Sequence, residues 1–101
     1  MRVAITNAGK NVAEQFGKTV SFTIYEVTKS KPRGKMVINV SASGGGEALL
    51  YILKNEEVEV LLCGQIDEKT KVSLAKCGIE VKDGLRGNVN AVLRAYLMGK
   101  I

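Results

Sequence analysis

Val58 to Leu62, Val-Glu-Val-Leu-Leu, is a nearly unbroken apolar run set between two stretches of helical periodicity. A strand that is apolar on both faces must be covered on both, which is the situation of a parallel strand inside an α/β sheet. This run is therefore expected to lie centrally. Before it, Glu47 to Lys54 reads as a helix burying Leu49, Ile52 and Leu53, with Asn55 as its stop. After it, Asp67 is placed to N-cap a helix carrying Val72, Leu74 and Ala75, and Gly78 is placed to end that helix in the left-handed conformation. Ile79 to Val81 follows as a short strand. The last element is the clearest: Val89, Val92, Leu93, Tyr96 and Leu97 fall at helical spacing, with Gly99 beyond them.

The N-terminal half reads as strands. Arg2 to Thr6 places Val3 and Ile5 on one face and ends at the turn-forming trio Asn7-Ala8-Gly9. A polar segment, Lys10 to Lys18, separates it from Val20 to Val27, where Val20, Phe22 and Ile24 alternate with Ser21, Thr23 and Tyr25 as in a half-buried strand. A loop with the only proline, Thr28 to Gly34, leads to the strand Lys35 to Val40, so these two strands are expected to form a hairpin. Strands followed by alternating helices and strands imply a mixed sheet with helices on its faces. With only the second strand reversed, the other strands deliver their C-terminal ends to one edge, where ligands of open α/β sheets bind.

At 101 residues, 46% of them hydrophobic and 25% charged, the chain is expected to be a single domain, residues 1–101, with a core of its own. No apolar run approaches the roughly 20 residues of a membrane span, and the N-terminus lacks a secretory h-region, so a cytoplasmic protein without membrane contact is expected. The net charge of +5 points to anionic partners: a phosphate-bearing ligand, a negatively charged metal cluster, or less favourably nucleic acid. Lys29, Lys31, Arg33 and Lys35 concentrate that charge in the hairpin loop. They either engage an acidic partner or nucleic acid, or deter pairing at the sheet edge. No aromatic residue interrupts the run to stack bases.

The residues of chemical interest lie in the turns. Gly44, Gly45 and Gly46, in Ser43-Gly-Gly-Gly, stand between a strand and a helix, where three glycines let backbone N–H groups approach an anion at a helix N-terminus. The Lys-Ser/Thr of a nucleotide P-loop is missing. Cys63, beside Gly64 at the end of the central strand, either points a thiolate into the cleft as a ligand for a soft metal or is a small buried hydrophobe. Cys77, in the last helical turn, is expected to pack in the core. Two cysteines cannot supply the four thiolates of an ordinary iron-sulfur cluster, and no spacing suggests zinc. Catalysis has no footing either: the first strand, Arg-Val-Ala-Ile-Thr, lacks the carboxylate of a two-metal nuclease, and no histidine is present to activate a nucleophile.

The opening RVAIT, EQFGKTVSFTIYEV with its Phe16-Gly17, VEVLLCGQI, LAKCGIEV and the final GNVNAVLRAYLMGKI resemble, in order and spacing over nearly the whole chain, the dinitrogenase iron-molybdenum cofactor-binding family of NifX-like and NifB C-terminal-like domains. The resemblance implies a ribonuclease H-like three-layer fold with a mixed sheet of about five strands, ordered 3-2-1-4-5 with strand 2 antiparallel and helices on both faces. It implies no reaction, but the binding or passing on of an iron-sulfur or iron-molybdenum cluster, with cofactor-assembly proteins as partners. Asn7, Gly9, Gln15, Ser43, Gly44, Gly45, Gly46, Cys63 and Gly64 are then the expected cofactor-binding residues, Cys63 being the metal ligand. Two positions depart from the family pattern: Gln15 stands where a His often precedes the Phe-Gly pair, and Ser43 with the glycines stands where another His is common. The runner-up reading is a nucleic-acid or protein interaction module that keeps the fold without the cluster site.

Overall fold

Strict alternation along the strands sorts their side chains onto two apolar faces, and helices cover both. The computed structural model of the chain describes residues 1–40 and 46–101. Its strands are β1 (Arg2–Ala8), β2 (Asn11–Val12), β3 (Ser21–Thr28), β4 (Lys31–Asn39), β5 (Val60–Leu62) and β6 (Glu80–Lys82), and its helices are α1 (Gly46–Asn55), α2 (Glu68–Lys76) and α3 (Val89–Leu97). The sheet order is β4-β3-β1-β5-β6, with β2 a short addition to β1. β3 runs antiparallel to both β1 and β4, while β1, β5 and β6 are mutually parallel. This is the order 3-2-1-4-5 with the second long strand reversed.

On one face Ala4, Phe22, Ile24 and Leu61 pack with Leu49 and Leu53 of α1 and Leu74 of α2. On the other, Val3, Ile5, Tyr25, Val27, Val60 and Leu62 pack with Val89, Val92 and Leu93 of α3. The result is three layers with β1 and β5 at the centre. Each fully buried large aliphatic side chain contributes roughly 1.5–3 kcal/mol of transfer free energy. Among the described residues, no helix is long and apolar enough to cross a membrane.

Local chemistry sets the ends of the elements. The Asp67 carboxylate accepts from Thr70 N at 3.2 Å at the start of α2, and Gly78 leaves the helix at φ +82°. Asn88 caps α3 by accepting from Asn90 N and Ala91 N at 2.9 and 3.2 Å. Three expectations are corrected. β3 is buried on both faces, because Ser21, Thr23 and Tyr25 lie on the side roofed by α3. The loop Thr28 to Gly34 is mostly strand: Lys29 and Ser30, at φ 54° and 63°, make a two-residue reversal closed by the pair Thr28 and Lys31. Cys77 is exposed, because it caps α2 on its outer side.

Candidate functional site

Register brings the strand ends to one rim. Asn7 pairs with Ser21 and Ser21 with Asn39, while Ile5 pairs with Leu62 and Leu62 with Lys82. The turns after β1, β5 and β6 and the end of β4 therefore stand side by side.

The polar segment Lys10 to Lys18 does not hang free beside this rim; it is strapped across it. Val12 N donates to Gly87 O at 2.8 Å and Val89 N to Lys10 O at 3.0 Å, tying the segment to the approach of α3. Ala13 N donates to Thr6 O at 3.1 Å, Gln65 N to Glu14 O at 2.8 Å, and Phe16 N to Gln65 O at 2.8 Å. Phe16 enters the core against Phe22, with ring centroids 6.3 Å apart. Gly64 makes this closeness possible. A Cβ there would lie 2.3 Å from Ala13 O and 2.5 Å from Glu14 O, so the backbone of the strap occupies the space of a side chain.

Two hollows open on either side of the Gln15 and Gln65 contact. One, of about 360 Å³, is lined by Gln15, Phe16, Gly17, Gln65, Ile66 and Asp67. The other, of about 300 Å³, is lined by Glu14, Gln15, Gln65, Gly84, Leu85 and Arg86. The two carboxamides line both hollows, and each offers an acceptor oxygen and a donor NH₂ group. Arg86 adds a permanent cation with five possible N–H donors. Glu14 and Asp67 make the lining mixed in sign, so the hollow is not uniformly positive as the glycine turns and net charge suggest. Hydrogen bonds from the Thr70 hydroxyl and then its N–H hold the Asp67 carboxyl below the usual carboxylate range. That carboxylate already complements the N-terminus of α2. Asp83, beside the second hollow, is likewise lowered by its 3.1 Å bond from Lys71 Nζ.

Of the expected site residues, Gln15 lies where both hollows meet. Asn7 is largely buried and committed to structure: its Nδ2 donates to Gly9 O at 3.1 Å and its Oδ1 accepts from Thr23 Oγ1 at 3.1 Å. Gly9, at φ +69°, makes the reversal between β1 and β2. Gly64 faces the strap. Gly46 is the first residue of α1, while Ser43, Gly44 and Gly45 lie outside the described residues. For Cys63, expected either as a cleft ligand or as a small buried hydrophobe, the structure has the buried position. It is fully buried with Phe16, Leu61 and Leu74, on the face shared by α1 and α2. Burial, reinforced by the charge of Asp83, pushes its thiol up to about 12, so the thiolate needed for ligation is strongly disfavoured. Gln65 and Arg86 were not among the cofactor-binding residues expected from the sequence. The only signal was position: Gln65 follows Cys63-Gly64 at a strand end, and Arg86 lies between Gly84 and Gly87.

Among the described residues no group of three or more Cys, Asp or Glu side chains is placed to hold a metal ion, and the chain has no His. This donor set does not fit a resident metal centre. What it offers is hydrogen-bond donors and acceptors and the charge of Arg86.

Comparison with known proteins follows the same fold. Residues 1–99 match the family described as dinitrogenase iron-molybdenum cofactor. The crystal structure of PH0822 superposes with a TM-score of 0.92 at 24% identity, covering 99% of this chain and 91% of that one. A protein of Methanocaldococcus jannaschii provisionally described as a dinitrogenase gives 0.82 at 21% identity, covering 99% and 90%. The apo form of the orange protein from Desulfovibrio gigas gives 0.82 at 23% identity, covering 98% and 88%. At these identities the likeness is one of fold. The sequence has no match among proteins of curated function.

Proposed function

Because this chain belongs to the dinitrogenase iron-molybdenum cofactor family, we propose that it is a non-enzymatic binding or carrier protein for an anionic iron-sulfur or iron-molybdenum cluster or its precursor. The observation that carries the proposal is the pair of hollows meeting at Gln15 and Gln65, with Arg86 in the lining, on the strand-end rim. The cluster is cargo, and it keeps its own inner bonds. The two carboxamides donate hydrogen bonds to its outer sulfur or carboxylate acceptors, and Arg86 offsets its negative charge. A protein that holds cargo without supplying ligands releases it readily, which suits transfer to cofactor-assembly proteins in a cytoplasmic pathway.

Anaerobic gel filtration of the protein with a preformed iron-sulfur or iron-molybdenum cluster tests this, read by visible absorption co-eluting with the chain. Retention is expected for the wild type and for Cys63→Ala, whose side chain does not reach the hollows, and loss for Gln15→Glu with Arg86→Glu. A wild-type protein that elutes colourless, or a charge-reversed variant that still carries colour, defeats the reading. In the first case the interaction module without a cluster site becomes the better account, and the burial of Cys63 is the observation that favours it.

A further inference from the structure

β4 is the outermost strand on its side of the sheet, and among the described residues no strand pairs with its outer edge. Its backbone polarity follows from one bond. Val40 N donates to Val20 O at 2.9 Å. The alternation of an antiparallel ladder then turns the main-chain groups of Ile38, Met36 and Gly34 toward β3 and those of Val37 and Lys35 outward. Pro32, which has no N–H, falls at an outward position and costs the ladder nothing. The bulge opposite Glu26 and Val27 confines irregularity to the hairpin end, so the stretch from Gly34 to Ile38 is a regular edge with no strand beyond it among the described residues. It is also apolar in part, with Val37 58% and Met36 39% exposed.

Two further features flank this edge. Lys29, Lys31, Arg33 and Lys35 put four cations into seven residues without an acid among them. The nearby Glu26 is engaged by Arg2 at 3.0 Å and by the N-terminal ammonium at 3.8 Å. Beside the strand lies a hollow of about 190 Å³ lined by Arg2, Ile24, Glu26, Gly34, Lys35 and Met36. It is open because Gly34 has no side chain, and only Glu26 Cβ, at 4.0 Å, approaches the position a Cβ would take. Unpaired backbone, a side-chain pocket next to it and a run of like charge are the elements of strand addition, in which main-chain bonds give affinity and alternate pockets give specificity.

We propose that β4 docks an extended, acidic segment of another protein as an added strand. Its backbone bonds to Lys35 and Val37, one apolar side chain enters the hollow over Gly34, and its carboxylates face Lys35, Arg33 and Lys31. The site is independent of the rim hollows, since β4 is separated from β1 by β3.

A display library of short random peptides selected on the intact protein tests the proposal, followed by fluorescence anisotropy on the selected peptides. Acidic residues alternating with Val, Ile or Leu are expected, with backbone amide shifts at Lys35 and Val37. N-methylation of alternate peptide amides abolishes binding, and so does Val37→Pro, which removes an outward donor. Gly34→Val, whose Cβ meets only Glu26 Cβ at 4.0 Å and whose methyl groups extend into the hollow, weakens it, and Lys35→Glu weakens it by roughly tenfold. Unchanged thermal unfolding of the Gly34→Val and Lys35→Glu proteins separates these effects from misfolding. The proposal is overturned if no peptide is selected, if selected peptides carry no excess of acid, or if N-methylation at every position is without effect. It is equally overturned if single-stranded nucleic acid displaces the peptide from the hairpin, or if sedimentation shows a dimer through β4 that Val37→Pro dissociates.

Discussion

Replacing Gly64 with alanine adds one methyl group where the strap comes closest to the sheet. Gly64 is outside the left-handed region, so alanine adopts its backbone without strain and the cost is steric. The new Cβ lies 2.3 Å from Ala13 O, against about 3.4 Å for the start of ordinary contact, so the strap must retreat by about 1 Å, the difference of the two. A retreat of that size stretches the 2.8 Å bonds from Gln65 N to Glu14 O and from Phe16 N to Gln65 O out of hydrogen-bond range. Overpacking at roughly 1–3 kcal/mol and two lost bonds at roughly 0.5–1.5 kcal/mol each sum to roughly 2–6 kcal/mol of lost stability. Equilibrium urea unfolding measures it, and amide hydrogen exchange locates it: the Phe16 and Gln65 amides are expected to exchange faster than those of β3. A variant within about 0.5 kcal/mol of wild type, the size of an ordinary surface change, with both amides still protected, would refute the close approach and the account of the rim built on it.

Thr6 is fully buried and its Oγ1 has no partner among the described residues, so Thr6→Val removes an unsatisfied hydroxyl at nearly constant shape. A gain of roughly 1–3 kcal/mol in urea unfolding is expected; a loss would mean that the hydroxyl does have a partner in solution. The two cysteines should differ sharply toward an aromatic disulfide reagent, Cys77 reacting at once and Cys63 only as fast as the core opens. The Cys63 thiol, raised from 9.0 to about 12, keeps its proton in the fold while the unfolded chain loses it above pH 9. Its contribution is therefore complete below pH 9 and falls by up to about 1.4 kcal/mol per pH unit toward pH 12. Cys63→Ala should abolish that part of the slope, and an identical slope in the variant would place the thiol in water.

Elements whose identity depends on local pattern were legible. Val58 to Leu62 announces a central strand because both of its faces are apolar, although regular pairing begins only at Val60. The spacing of Val89, Val92, Leu93, Tyr96 and Leu97 places α3, and Asp67, Gly78 and Gly99 mark helix ends by chemistry that acts within a turn. The strap was not legible, because its bonds go to Gln65 and Gly87, far away in sequence, while its own residues are mostly polar. Only Val12, Ala13 and Phe16 are buried, at no regular period. The hairpin itself was expected, but its tight turn was hidden for a different reason. Its two left-handed positions hold Lys29 and Ser30 in place of the usual Asn and Gly, so the reversal read as a long loop. For Cys63 the sequence left two readings open, and the choice came from alternation: it follows Leu62 and so returns to the face of Leu61, under α1 and α2.

The strap is fastened by main-chain atoms, with Phe16 as its anchor, and this divides labour within the rim. Contours are fixed by peptide groups common to every amino acid, whereas selectivity rests on a few tips, those of Gln15, Gln65 and Arg86 among them. Such a receptacle can be retuned by exchanging tips alone. Imidazoles installed at Gln15 and Gln65 would add metal-ligating nitrogens to the two hollows, with the scaffold beneath left undisturbed.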